Sequence, residues 1–117
     1  MAVAGFYSND FGQQGGSDEQ IAGVTQKYGV RHDQFVVAPV IGPAARPLFA
    51  WLLSHHNPGP KDGDMAPTWN FSKWLVSRKG EVVAAFDTRT YWGEDPAADR
   101  WKSSPLVLAI EAQLKAR

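Results

Sequence analysis

Histidine and cysteine are the side chains that most often do acid–base, nucleophilic or metal chemistry near neutral pH, and this chain has three of the first and none of the second. The absence of cysteine excludes disulfides, thiolate metal sites and any thiol chemistry supplied by these 117 residues alone. His32 stands apart, and His55 and His56 are adjacent, so no two share a helix face at the i, i+4 spacing of paired zinc ligands. They read as solvated positions, and no metal site is expected. Three further polar residues have ordinary readings when taken singly. Gln14 in a Gly-rich loop is a solvated turn residue, Trp69 ahead of an apolar strand is core, and Asn70 is a local turn former.

The elements that would hold these residues can be read along the chain. With 117 residues, 44% of them apolar, there is enough chain for one core and a single domain over 1–117. Ala2 to Tyr7 is a short apolar run ending at Ser8-Asn9-Asp10, the pattern of a buried strand closing in a turn. Ser17 followed three residues later by Gln20 has the spacing of a capping box and predicts a helix start. Ile21, Val24 and Tyr28 form one apolar stripe on that helix, and Gly29 stands where a left-handed cap would end it. Phe35 to Val40 predicts a second strand, irregular near Pro39.

Pro43 to His55 carries apolar residues at helical spacing, with Pro47 tolerable only in the first turn. Asn57 to Thr68 is a Pro/Gly/Asp-rich loop. Phe71 to Ser77 and Val82 to Phe86 flank Gly80 as a hairpin. Thr88 to Ser103 has no clear period, and Leu106, Val107, Ile110 and Leu114 mark a closing amphipathic helix. The order strand, helix, strand, helix, hairpin, helix points to an α/β architecture.

Charge and hydropathy narrow the partners. Twelve Lys and Arg balance twelve Asp and Glu, so there is no broad basic surface for a phosphate backbone, and nucleic acid is not an expected partner. No apolar run approaches the ~18 residues of a membrane span, and the first residues are too short and uncharged for a signal peptide. The chain reads as soluble, with the cytoplasm as the expected compartment.

Three segments, in order, resemble the glutathione peroxidases: Phe6 to Ser17 (FYSNDFGQQGGS), Gly42 to Leu53 (GPAARPLFAWLL) and Trp69 to Gly80 (WNFSKWLVSRKG). The corresponding family patterns are F-x-x-N-x-F-G-x-Q-E-P-G-S, G-P-x-x-x-P-L-[YF]-x-[WF]-L and W-N-F-x-K-[FW]-L-[VI]-x-x-x-G. The similarity covers nearly the whole chain and thins between Thr90 and Ser104. Gln13 and Gly15-Gly16 depart from the family's Gly and Glu-Pro-Gly, which alters the loop but keeps its glutamine.

The resemblance implies a thioredoxin-like three-layer α/β sandwich whose nucleophile, a cysteine or selenocysteine, lies in a segment like N-V-A-S-x-C-G. That segment, with its strand and helix, has no match here and is expected upstream of Met1. A start at an internal methionine, after a selenocysteine codon read as a stop, would produce such a chain. By motif position Gln14, Trp69 and Asn70 stand for the family's catalytic glutamine, tryptophan and asparagine. Their uncharged N–H donors would favour a thiolate or selenolate and polarise the O–O bond it attacks.

The resemblance therefore implies reduction of hydrogen peroxide and organic hydroperoxides in oxidative-stress defence, with no bound cofactor. Glutathione or another small thiol is the expected co-substrate, because no resolving cysteine occurs near Val24 to Gly29. Lys73 and Arg78 read as a solvated face, with a thiol-binding surface as the alternative. The short Asn57 to Thr68 loop favours a monomer for the full-length form. The alternative is a cysteine-less pseudoenzyme or binding module on the same fold. Without the upstream strand, interior strands would lack partners, so self-association of this chain is expected.

Overall fold

The computed structural model describes residues 1–12, 16–55, 67, 69–87 and 104–116. They fall into two compact units, Met1–Ala50 and Trp51–Arg117, with the division inside a helix. Among the described residues no helix is long and apolar enough to cross a membrane.

In the first unit, β1 (Ala4–Phe6) pairs in parallel with β2 (Asp33–Phe35), Ala4 opposite Asp33 and Phe6 opposite Phe35. Parallel neighbours need a crossover, and α1 (Asp18–Lys27) supplies it. The predicted capping box starts this helix: Ser17 Oγ accepts from the Gln20 amide at 3.3 Å and Gln20 Oε1 accepts from the Ser17 amide at 2.9 Å. The predicted stop is also present, with Gly29 at φ +64° after the Tyr28 cap. β1 is shorter than the apolar run suggests and Ala4 is exposed, since β2 is its one partner among the described strands.

The second strand differs from the Phe35 to Val40 expectation. It ends at Phe35, because the next amides bond elsewhere. Val37 donates to Asp18 Oδ1 at 2.7 Å, Ala38 to the Tyr7 carbonyl at 3.1 Å, and Val40 to Asp10 Oδ2 at 2.7 Å. Pro39 has no amide to offer, so no continuous ladder forms there. α2 (Pro47–Ser54) begins at Pro47, where a missing N–H costs nothing, and not at Pro43. Its Phe49 is buried and meets the Phe6 ring edge-on at 5.6 Å, while Phe35 stacks on Phe6 at 4.5 Å. The Arg46 guanidinium lies 5.2 Å from the Phe6 centroid and donates to the Val36 and Tyr7 carbonyls, pinning the chain after both strands.

In the second unit, β3 (Lys73–Val76) and β4 (Val82–Phe86) form the predicted antiparallel hairpin, with an irregularity between Leu75 and Val76. Its turn is closed by Ser77 and Glu81 at 2.8 Å and by Gly80 and Ser77 at 3.0 Å, with Gly80 at φ +81°. Phe71 and Ser72, expected in the strand, precede it. α3 (Pro105–Lys115) buries Leu106 and Val107, while Leu114, assigned to the same stripe, is exposed. Arg78 lies on the surface as expected and donates to the Ala116 carbonyl at 3.2 Å, satisfying a backbone group that the end of α3 leaves open. The loop assigned to Asn57 to Thr68 lies outside the described residues apart from Pro67, as does the aperiodic stretch Thr88 to Ser103.

Candidate functional site

Trp69 and Asn70 lie in the turn that leads into β3. The Ser72 hydroxyl donates to the Trp69 carbonyl at 3.2 Å and fastens the turn across its base. Between them, Phe71 has φ +63° and is the one non-glycine residue in the left-handed region among the described residues. For a residue with a Cβ that conformation costs ~1–2 kcal/mol. The same residue leaves 74% of its surface exposed, so ring burial does not offset the strain. The tight reversal brings Asn70 partly inside and keeps Trp69 at the surface, 42% exposed.

Asn70 carries a polar atom with an open requirement. Its side-chain oxygen is shielded from solvent and has no hydrogen-bond partner among the described residues. A buried acceptor left open costs ~1–3 kcal/mol, and such groups concentrate where a fold is built for something other than its own stability. An amide whose oxygen is buried is restricted in rotation, and that fixes the direction in which its NH₂ group can donate.

The neighbouring Lys73 is not the solvated residue the sequence suggests. It is half-buried at the first position of β3, and its Nζ donates to the Asp87 carbonyl at 3.3 Å. Burial pushes its ammonium below the ordinary lysine range, with the Asp87 charge working in the opposite sense. The turn is thus followed by a cation whose charge is held at some cost and directed along the hairpin.

Gln14, the third expected site residue, lies outside the described residues. Gly12 and Gly16, the nearest described residues before and after it, are both tied to Asn9. Gly12 donates to the Asn9 carbonyl at 3.1 Å, and the Asn9 side chain donates to the Gly16 carbonyl at 3.3 Å, clasping the two flanks of the loop. Asp10 anchors the same loop by accepting from Val40 and Ile41 at 2.7 and 3.2 Å. Burial tends to raise the Asp10 carboxyl, but the amides of Val40 and Ile41 and the Ser8 hydroxyl outweigh it and hold the group below its ordinary value.

The sequence named Trp69 and Asn70 and did not single out Asn9, Asp10 or Phe71. Asn-Asp within a turn was a usable signal for the first two. No residue type signals a left-handed phenylalanine. Among the histidines, His55 Nδ1 lies 2.8 Å from the Trp51 carbonyl and its ring packs on Trp51, while His56 lies outside the described residues.

No family model matches the chain. It is similar to the hydroperoxy fatty acid reductase gpx1 of Synechocystis, 41% identical over 92 residues that make up 74% of this chain and 54% of the relative. It is 34% identical over 92 residues to the glutathione peroxidase homolog BsaA of Bacillus subtilis, covering 77% of this chain and 56% of that one. The phospholipid hydroperoxide glutathione peroxidase of Sus scrofa is 34% identical over 90 residues, 74% of this chain and 44% of the relative. The chain spans about half the length of the curated relatives it matches. Among solved structures, the crystal structure of Trgpx in apo form superposes with a TM-score of 0.58 at 27% identity, covering 96% of this chain and 58% of that one.

Proposed function

The chain is a homologue of the glutathione peroxidases with their thioredoxin-like α/β fold, and we propose that it is part of a thiol-dependent peroxidase that reduces hydrogen peroxide and organic hydroperoxides. The reading places Trp69 and Asn70 as donors beside the reacting sulfur or selenium, with Gln14 as the third. No cysteine occurs in the 117 residues, so in this reading the nucleophile lies outside them, upstream. The observation that carries the proposal is the strained Trp69-Asn70-Phe71 turn, which fixes an amide with a buried, unpartnered oxygen next to an exposed indole.

The chemistry asks for such donors. A thiolate or selenolate attacks one oxygen of the hydroperoxide, the O–O bond breaks, and the departing alkoxide takes a proton to leave as an alcohol, or as water from hydrogen peroxide. The nucleophile is oxidised to a sulfenic or selenenic acid. Two equivalents of a small thiol return it to the reduced form, releasing water and a disulfide. Neutral N–H groups of an amide and an indole stabilise the anionic nucleophile and the developing negative charge on the leaving oxygen without being consumed. The reading needs glutathione or another small thiol as co-substrate, uses no bound cofactor, and takes the cytoplasm as compartment.

The test is hydroperoxide reduction with glutathione as donor. The 117-residue chain is compared with a form extended upstream to the nearest in-frame segment carrying a family-like Cys or selenocysteine codon. Activity in the extended form alone is the expected result. An upstream frame without such a segment, or inactivity of a folded extended form, would overturn the proposal in favour of a binding role on the same scaffold.

A further inference from the structure

A left-handed residue other than glycine persists only where its surroundings over-determine the backbone. Phe71 is held at φ +63°, so the turn that contains it must be fixed to something firmer than itself. The Ser72 hydroxyl bonds to the Trp69 carbonyl at 3.2 Å, but that tie closes the turn on itself and does not fix it relative to the hairpin. Lys73, the next residue, supplies such a connection. It is the first residue of β3, stands opposite Phe86, and donates from Nζ to the carbonyl of Asp87 at 3.3 Å. Phe86 ends β4, so this bond reaches one residue past the last strand pair, on the side from which the turn enters the hairpin.

Lysine is a costly side chain at this position. Its ammonium is disfavoured by burial, against the opposing charge of Asp87. A methionine of similar length would fill the same half-buried space without that desolvation. What the ammonium adds is a directed bond at the open end of the hairpin, three residues along the chain from Asn70. We propose that Lys73 is a positioning residue: through its bond to the Asp87 carbonyl it anchors the strained turn to the end of β4 and so holds the direction in which the Asn70 amide donates. Both bonded groups belong to the same hairpin, so the tie does not involve the upstream segment that the peroxidase reading requires.

The inference rests on the peroxidase reading for the reaction it serves, but one of its two readouts does not require turnover. In the 117-residue chain, K73M is expected to lower the heteronuclear NOE of the Asn70 side-chain NH₂ as that amide gains freedom. The paired amides of Leu75 and Ala84 should stay as ordered as in the parent. K73R, which keeps a cationic donor, should restore the Asn70 value. In the form extended upstream to a nucleophile, K73M should slow oxidation of the reduced enzyme by a hydroperoxide roughly tenfold or more, because small displacements of a positioned group are costly in rate. Reduction by glutathione should be nearly unchanged, and K73R should recover most of the lost rate. R78M removes a surface cation that bonds instead to the Ala116 carbonyl, and it should match the parent in both steps. An Asn70 side chain as ordered in K73M as in the parent would overturn the inference. So would an equal loss in both steps with a lower melting temperature, which would make Lys73 a brace of the hairpin alone. A slower glutathione step in both K73M and R78M would overturn it in favour of a thiol-binding surface. If the extended parent itself is inactive, the peroxidase reading fails, and the order of the Asn70 side chain alone decides for or against the anchor.

Discussion

The Asp10 carboxylate reaches thirty residues along the chain to accept the Val40 amide at 2.7 Å, and the same oxygen takes the Ile41 amide at 3.2 Å. One acidic side chain therefore ties the turn after β1 to the segment leading to α2. Because the bonds are to the ionised form, the folded carboxyl lies below its ordinary value. The sign follows from linkage: a carboxyl depressed in the folded state contributes stability above its unfolded value, and that contribution is lost as pH falls through the folded one. Urea midpoints should therefore fall on acidification below about pH 4, by an increment that D10N lacks. At neutral pH D10N should cost about 1 kcal/mol, and a pH-independent difference between the two proteins would refute the assignment.

The start of α1 offers a second check. Ser17 and Gln20 satisfy each other's orphan amides, so S17A should lower stability by about 1 kcal/mol and Q20A by less. Chemical denaturation followed by circular dichroism reads both. A variant S17D, which keeps an acceptor at the cap, should recover most of the loss.

Two glycines should respond in opposite directions. Gly23 lies inside α1 with nothing near the position a Cβ would occupy, so G23A should stabilise by roughly 0.5–1 kcal/mol. Gly80 also has room, but its φ of +81° is one that side-chain-bearing residues rarely adopt, so G80A should destabilise by roughly 1 kcal/mol or more. Melting temperatures moving in the same direction for both would contradict the hairpin geometry.

These contrasts mark what was legible in the sequence. The capping box, the stop at Gly29, the helix starting with Pro47 in its first turn and the hairpin around Gly80 all depend on residues close in sequence, whose local chemistry has few alternatives. The second strand was misplaced because its amides are claimed by Asp10, Asp18 and the Tyr7 carbonyl, partners that no apolar pattern reveals. The closing helix was found, but Leu114 remains exposed, since periodicity gives a stripe and not what covers it. At the site, the ordered motifs gave Trp69 and Asn70. They did not give the left-handed Phe71 between Asn70 and Ser72, because Phe in that run reads as strand. The half-burial of Lys73 was missed for a related reason: a charged residue at the start of a hairpin is ordinarily solvated, and its bond to the carbonyl of Asp87, far along the chain, is not visible in local sequence.

The last prediction concerns the two donors. In the form extended upstream to a nucleophile, N70A removes an uncharged donor and also the buried oxygen that lacks a partner. Loss of one preorganised donor should lower the rate of the peroxide step by roughly 10²-fold. Removing the unpartnered acceptor at the same time relieves a desolvation cost, so the melting temperature should hold or rise. W69F keeps an aromatic ring of similar character and removes only the indole N–H, which should slow the same step with little change in stability, Trp69 being partly exposed. The thiol-dependent return step uses neither donor on an O–O bond and should be less affected in both variants. Stopped-flow oxidation of the reduced enzyme by a hydroperoxide, followed separately from reduction by glutathione, resolves the two steps. A combined loss of rate and melting temperature in N70A would mark Asn70 as a turn former alone. A loss of rate with stability retained would mark the turn as built for the reaction at a cost to the fold.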